Sequence, residues 1–258
     1  MAAYAEAGVR VTLVTCTLGQ LGEVIVPELA HLGPDEVGEH RRGELAAAMA
    51  ALGVADHRLL AGGRWRDSGM VWVRPGIAGV GPDADPRSFA LADLDEAASA
   101  VAEVIAQVRP RVVVTYDPGG GYGHPDHVQA HRVTMAAVRL APVAKVYWVR
   151  TPRSWALRER AALLASRPTS MTARALDDPL PPVVADDEVV TTAVDAGAQL
   201  HRKLAALRAH ATQIRVEGEV LALSDGVAQS VRAAEGFELV SGRLGPTGAG
   251  GREVDLLA

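Results

Sequence analysis

The run Arg111-Val-Val-Val-Thr115-Tyr-Asp-Pro-Gly-Gly-Gly121-Tyr-Gly-His124-Pro-Asp-His127 decides the architecture. Residues 111–115 read as a continuous apolar strand, the pattern of a strand covered on both faces. The glycines that follow end it and let the backbone pass close to a ligand. Pro125 suits the first position of a helix, where its missing N–H costs nothing. That helix runs to about Leu140. Strand, glycine loop and helix form the repeating unit of a right-handed parallel α/β sheet.

The flanking sequence repeats the alternation. Upstream, a helix over 91–108 carries Leu91, Leu94, Ala98, Val101, Val104, Ile105 and Val108 on one face, and Pro110 ends it. Strands are expected at 9–15 and 57–60, with a helix over 40–52 striped by Leu45, Ala48, Met49 and Leu52. Met1–Ala7 reads as the last turns of a helix closed by Gly8. Downstream come a strand at 146–149, a helix at 154–165, a Pro-rich loop at 176–183, a strand at 188–194 and a helix at 196–211. Residues 17–39 and 71–88 read as loops, the second marked by Pro75, Pro82 and Pro86, and the tail over 242–258 as mobile. The expected fold is α/β: one domain over 1–258, a Rossmann-like parallel sheet with helices on both faces, plus a small irregular C-terminal part. Ligands of such sheets bind beyond the C-terminal strand ends, which here are the loops 16–39, 62–70 and 117–127.

Composition excludes several classes of function. The net charge is −5 and no dense basic patch occurs, the pair Arg41-Arg42 reading as a solvated helix start, so no nucleic-acid footprint is expected. Cys16 is the single cysteine, which rules out an intramolecular disulfide and reads as packing at a strand end. No apolar run reaches the ~18 residues of a membrane span. Met1–Ala7 has neither the charged nor the apolar segment of a signal peptide, so a cytoplasmic protein is expected.

His124 and His127 lie three apart, on neighbouring positions of one helix face. Asp126 falls in the first turn, where the helix dipole favours a carboxylate. Two imidazoles and a carboxylate at the mouth of a sheet suit zinc, with the carboxylate free to orient a histidine through its other nitrogen. The plainer reading makes His124 a helix cap and Asp126 a first-turn charge. A nucleotide site fits less well: the third glycine of the dinucleotide fingerprint is absent, and no Gly-Lys-Ser/Thr ending occurs.

Gly121-Tyr-Gly-His-Pro-Asp-His127 resembles a signature of the N-acetylglucosaminyl-phosphatidylinositol deacetylase (LmbE-like) superfamily. Three more stretches, Val14-Thr-Cys-Thr-Leu-Gly19 with Gly22-Glu-Val24, Gly63-Arg-Trp-Arg-Asp-Ser-Gly-Met70, and Ala209-His-Ala-Thr-Gln-Ile214, are similar to its mycothiol-pathway branch, which removes acetate from N-acetylglucosaminyl-inositol. The resemblance covers about residues 1 to 215. It implies one divalent ion, zinc or alternatively iron, with His127 as ligand. It implies His124 as the catalytic histidine, Asp126 as its orienting partner and Tyr122 as a mobile contributor to the transition state. Arg41 and Asp67 would contact sugar and inositol hydroxyls. Read from the residues alone, Arg41 is a solvated first-turn side chain and Asp67 a local turn or surface ion pair. The partner implied is a small amino-sugar inositol, with no nucleic acid and no membrane.

The resemblance also implies a first strand ending in Ala-His-Pro-Asp-Asp-Glu, which supplies two zinc ligands and the general base. No such stretch occurs, and the only His-Pro-Asp is 124–126. The expectation is therefore an N-terminally truncated chain whose sheet lacks its first strand. It is then an active deacetylase whose true start lies upstream, or an inactive chain that only binds sugar. Cleavage of mycothiol S-conjugates is the other enzymatic alternative, though that branch typically has Tyr-Pro-His where Gly123 stands here.

Overall fold

A computed structural model describes residues 1–74, 77–166 and 170–258. In chain order the elements are α1 (Ala2–Glu6), β1 (Thr12–Thr15), α2 (Pro34–Leu52), β2 (Asp56–Leu59), β3 (Val71–Arg74), β4 (Ile77–Gly79), α3 (Leu94–Val108), β5 (Val112–Thr115), α4 (Gly120–Gly123) and α5 (Pro125–Leu140). There follow β6 (Lys145–Pro152), α6 (Arg153–Ser166), β7 (Val184–Ala185), β8 (Thr192–Asp195), α7 (Leu200–Ala209), β9 (Arg215–Glu217), β10 (Val220–Ala222), β11 (Gln229–Ser230) and β12 (Ala234–Ser241).

The α/β expectation holds. Strands β1 and β2 pair in parallel, Thr12 opposite Asp56, and β5 pairs in parallel with β6, Val112 opposite Lys145. The two pairs belong to separate sheets and share no ladder. Neighbouring residues of one strand pack on opposite layers, as the period of two requires. Leu13 joins Ala48, Met49 and Leu52 of α2 with Ala206 of α7, whereas Val14 joins Ala97, Val101 and Ile105 of α3 with Val133 of α5. Helices therefore cover both faces of the β1–β2 pair, whereas on β5 the expectation of a strand covered on both faces is corrected, because Val114 is exposed.

Three further expectations are corrected. The sheet is mixed rather than wholly parallel: β12 runs antiparallel between β6 and β8. Residues 71–88 are not all loop, because β3 and β4 form a hairpin, Val71 opposite Gly79; Pro75 lies outside the described residues. The tail after Gly242 is anchored. Glu253 is fully buried and accepts hydrogen bonds from Lys145 Nζ (2.6 Å), Tyr147 Oη (2.5 Å) and Thr192 Oγ (2.8 Å). Leu256 packs against Tyr147 and Phe237. Among the described residues no helix is long and apolar enough to cross a membrane.

Helix α2 begins at Pro34, six residues before the expected 40. Pro34 takes the first position, Asp35 and Glu36 the first turn, and the Glu36 carboxylate accepts the Gly33 N–H (2.8 Å).

Candidate active site

The loops after β1, β2 and β5 meet over the start of α5. Asp117, buried at the end of β5, accepts the N–H groups of Gly119 (2.7 Å) and Gly121 (3.1 Å) and so folds the glycine run into a turn. Gly120 has φ +64°, and a Cβ there would lie 2.6 Å from the Val128 nitrogen and 2.9 Å from the His127 Cβ. Only glycine lets the loop approach the helix that closely.

That approach fixes the ring of His127. Its Nδ1 lies 3.1 Å from the Gly120 carbonyl, and a carbonyl only accepts, so Nδ1 carries the proton. The ring stacks on Tyr116 at 4.2 Å. Burial first, and His124 second, push its pKa down to about 4, so it is neutral near pH 7 and Nε2 presents a bare lone pair.

His124 has the opposite arrangement. It caps α5, and its Nδ1 accepts the Asp126 backbone N–H at 3.1 Å. A backbone N–H only donates, so the neutral ring carries its proton on Nε2. Burial lowers the pKa of this ring while Asp67 works in the opposite direction. One ring offers a lone pair and its neighbour, 5.0 Å away between centroids, offers an N–H. Main-chain atoms make both assignments. Tyr122, half exposed, lies edge-on to both rings, and burial followed by Asp67 and Asp126 raises its pKa.

Asp126 is buried. Its carboxylate accepts the Ser68 N–H (3.1 Å) and the Ser68 hydroxyl. The expectation that this carboxylate orients His124 is corrected: His124 takes its contact from the Asp126 main chain. Desolvation, with Asp67 adding to it, pushes the Asp126 carboxyl up to about 7. Asp67 is buried too, accepting the N–H groups of Leu21 (2.9 Å) and Gly69 (3.0 Å), so the local turn bond exists beside a longer-range one.

Arg41 is not a solvated first-turn side chain. It is 4% exposed, and its guanidinium donates to Thr212 Oγ (3.2 Å) and to the carbonyls of Gly19, Gly22 (3.1 Å) and Glu23 (3.0 Å). Cys16 is packed against the α3–α5 core, its thiol pushed up to about 12 by burial and Asp126. Sequence reasoning missed Ser68, Asp117 and Thr212. Ser68 and Thr212 sat inside stretches already singled out, and Asp117 heads the glycine run.

The donor set fits a divalent cation in its chemistry: buried imidazole and carboxylate. Atoms of Asp67, His124 and Asp126 all lie within 4.8 Å of one another, with His124 in this tautomer contributing an N–H rather than a lone pair. His127 stands outside that trio but beside it, with Nε2 uncommitted.

Residues 1–138 match the family model described as GlcNAc-PI de-N-acetylase (PIG-L). The chain is 51% identical to a 1D-myo-inositol 2-acetamido-2-deoxy-alpha-D-glucopyranoside deacetylase of Kineococcus radiotolerans, over all of this chain and 77% of that protein. It is 52% identical to the deacetylase of the same name from Acidothermus cellulolyticus, over all of this chain and 88% of that protein. Among solved structures, N,N'-diacetylchitobiose deacetylase of Pyrococcus horikoshii shares the fold, with TM-score 0.53, 19% identity, and 93% of this chain against 76% of that one. With more than half its length matched by the family model, the chain belongs to the GlcNAc-PI de-N-acetylase (PIG-L) family.

Proposed function

We propose that this chain hydrolyses the acetamide of 1D-myo-inositol 2-acetamido-2-deoxy-alpha-D-glucopyranoside, giving acetate and the free amine in mycothiol biosynthesis, with zinc as its divalent ion. The observation that carries the reading is identity of about half along the whole chain to two deacetylases of that name. The opposite tautomers of His124 and His127 supply chemistry that such a reaction uses.

His127 is assigned as a ligand through Nε2, and Asp67, His124 and Asp126 line the space beside it. Such an ion, when bound, polarises the acetamide carbonyl and makes water more acidic. His124 directs its Nε2–H at the acyl group. As water adds to the acyl carbon and gives up its proton to a carboxylate, His124 donates to the oxygen where negative charge develops, or passes its proton to nitrogen as the C–N bond breaks, leaving acetate and the amine. Asp126 holds that ring by its main chain and is itself held by Ser68. Tyr122 covers the imidazole pair from solvent, and Asp67 is the acceptor for a sugar hydroxyl.

The test is direct. The protein is supplied with the acetylated glucosaminyl-inositol, and free amine and acetate are quantified together. Equal amounts of both, lost on chelation and restored by Zn²⁺, are expected. Amine release that survives chelation, or cleavage confined to mycothiol S-conjugates, would sink the assignment. Replacing His124 with Ala lowers kcat by roughly 100- to 1,000-fold, the usual cost of one oxyanion donor or general acid.

A further inference from the structure

Thr212 lies far from the imidazole pair in sequence and is 1% exposed. Every polar group it owns is committed. Its N–H and hydroxyl donate to the two carboxylate oxygens of Glu44, each at 2.7 Å. Its carbonyl accepts the Ile25 N–H (2.9 Å), and its hydroxyl oxygen accepts the Arg41 Nε–H (3.2 Å). Arg41 then places three of its four other N–H groups on the carbonyls of Gly19, Gly22 and Glu23. The loop fits against it because Gly22 has no side chain; a Cβ there would lie 2.5 Å from a guanidinium nitrogen. The same loop holds Asp67 from two sides. Leu21 N–H donates to its carboxylate (2.9 Å), and the Gln20 side-chain carbonyl accepts its N–H (3.0 Å).

The donors all point one way: guanidinium to hydroxyl, hydroxyl to carboxylate. In a buried setting such a chain polarises along its length and is worth more than its bonds taken singly. It joins the segment after α7 to the loop after β1, and through that loop to Asp67. Glu44 and Arg41 are the two charges at its ends, both buried, and the Thr212 hydroxyl is the group that bridges them.

We propose that Thr212 and Glu44 are positioning residues for substrate binding: they lock Arg41 onto the 19–23 loop, and the loop sets the Asp67 carboxylate at the angle that receives the substrate. The inference rests on the proposed assignment of Asp67 to a sugar hydroxyl. It assigns the Ala209–Ile214 stretch a mechanical role in affinity.

The experiment uses Thr212→Val, which keeps the shape and removes the hydroxyl, with Thr212→Ser as the restoring variant. KM rises at least ten-fold in Thr212→Val while kcat changes less than three-fold, and Thr212→Ser returns KM to within two-fold of wild type. In an Asp67→Asn background Thr212→Val raises KM less than two-fold further, because the residue acts through Asp67. Amide exchange at Leu21 speeds at least ten-fold in Thr212→Val and recovers in Thr212→Ser. Unchanged Leu21 exchange overturns the mechanical link whether or not the protein turns over this substrate. Unchanged KM, or effects of the two substitutions that simply multiply, overturns the role in affinity. Absence of amine release from wild type, with Leu21 exchange responding as stated, refutes the substrate assignment and leaves the link standing.

Discussion

Gly120 is the residue on which the imidazole pair turns. Its carbonyl decides the tautomer of His127, and its missing side chain permits the approach that makes this contact. An alanine there meets a backbone nitrogen and a Cβ inside van der Waals distance, at a φ of +64° that L-residues rarely adopt. Relief requires moving the start of α5. Gly120→Ala is expected to lose roughly 1–3 kcal/mol of stability. Deacetylation falls by about ten- to a hundred-fold, because the displaced carbonyl no longer orients His127. Thermal unfolding and steady-state kinetics check the two halves, and a variant with wild-type kcat/KM would remove the carbonyl from its assigned role. Asp117 acts one step earlier. Its carboxylate holds the two N–H groups that shape the turn and lies 3.5 Å from Arg150. Asp117→Ala leaves those N–H groups and a nearby guanidinium without their acceptor, at a cost of about 2–4 kcal/mol. Melting within a degree of wild type would contradict this.

At the scale of elements, what the sequence revealed and what it hid divide along chain separation. Strand β5, the glycine turn and α5 were legible because their signals are adjacent: an apolar run, positive-φ glycines, a proline at the first helical position. Helix α3 was legible for the same reason, with Asp93 accepting the Glu96 N–H at its start and Arg109 leaving helical geometry just before Pro110. The start of α2 was signalled by Pro34 and Glu36, but Gly38 and the polar residues around it hid the periodicity. The pairing of β12 with β6 was not legible. Phe237 sits opposite Val149 across 88 residues, and nothing local in 234–241 names its neighbours or their direction. The site divides in the same way. His124, Asp126 and His127 announce themselves within four positions, whereas the burial of Arg41 depends on Thr212, 171 residues away. A side chain whose partners lie that far off reads as solvated when only its neighbours are consulted.

At the scale of the whole molecule, a buried polar box ties the starts of β6 and β8 to the C-terminal segment. Burial pushes the Glu253 carboxyl up, but hydrogen bonds from Lys145, Tyr147, Gly245 and Thr192 outweigh it and hold the pKa below the usual range. A folded value below the unfolded one means the stabilisation is complete above the ordinary carboxylate pKa and drains as pH falls through the folded value. Melting temperature is therefore expected to drop as pH falls below the ordinary carboxylate range, and to drop less in Glu253→Gln, whose side chain does not titrate. At neutral pH that variant leaves Lys145 buried without its counter-charge and loses about 3–5 kcal/mol. Parallel pH profiles for the two proteins would show that Glu253 is not the titrating group. Beside this box Tyr4 accepts the Leu256 N–H and donates to Asp255, both at 2.8 Å, so two segments 251 residues apart meet on one phenol. A closure that long gains nothing until the chain between is already ordered. The phenol latch is accordingly expected to form late in folding, and amide exchange near Leu256 is expected to run ahead of exchange in the helices it borders.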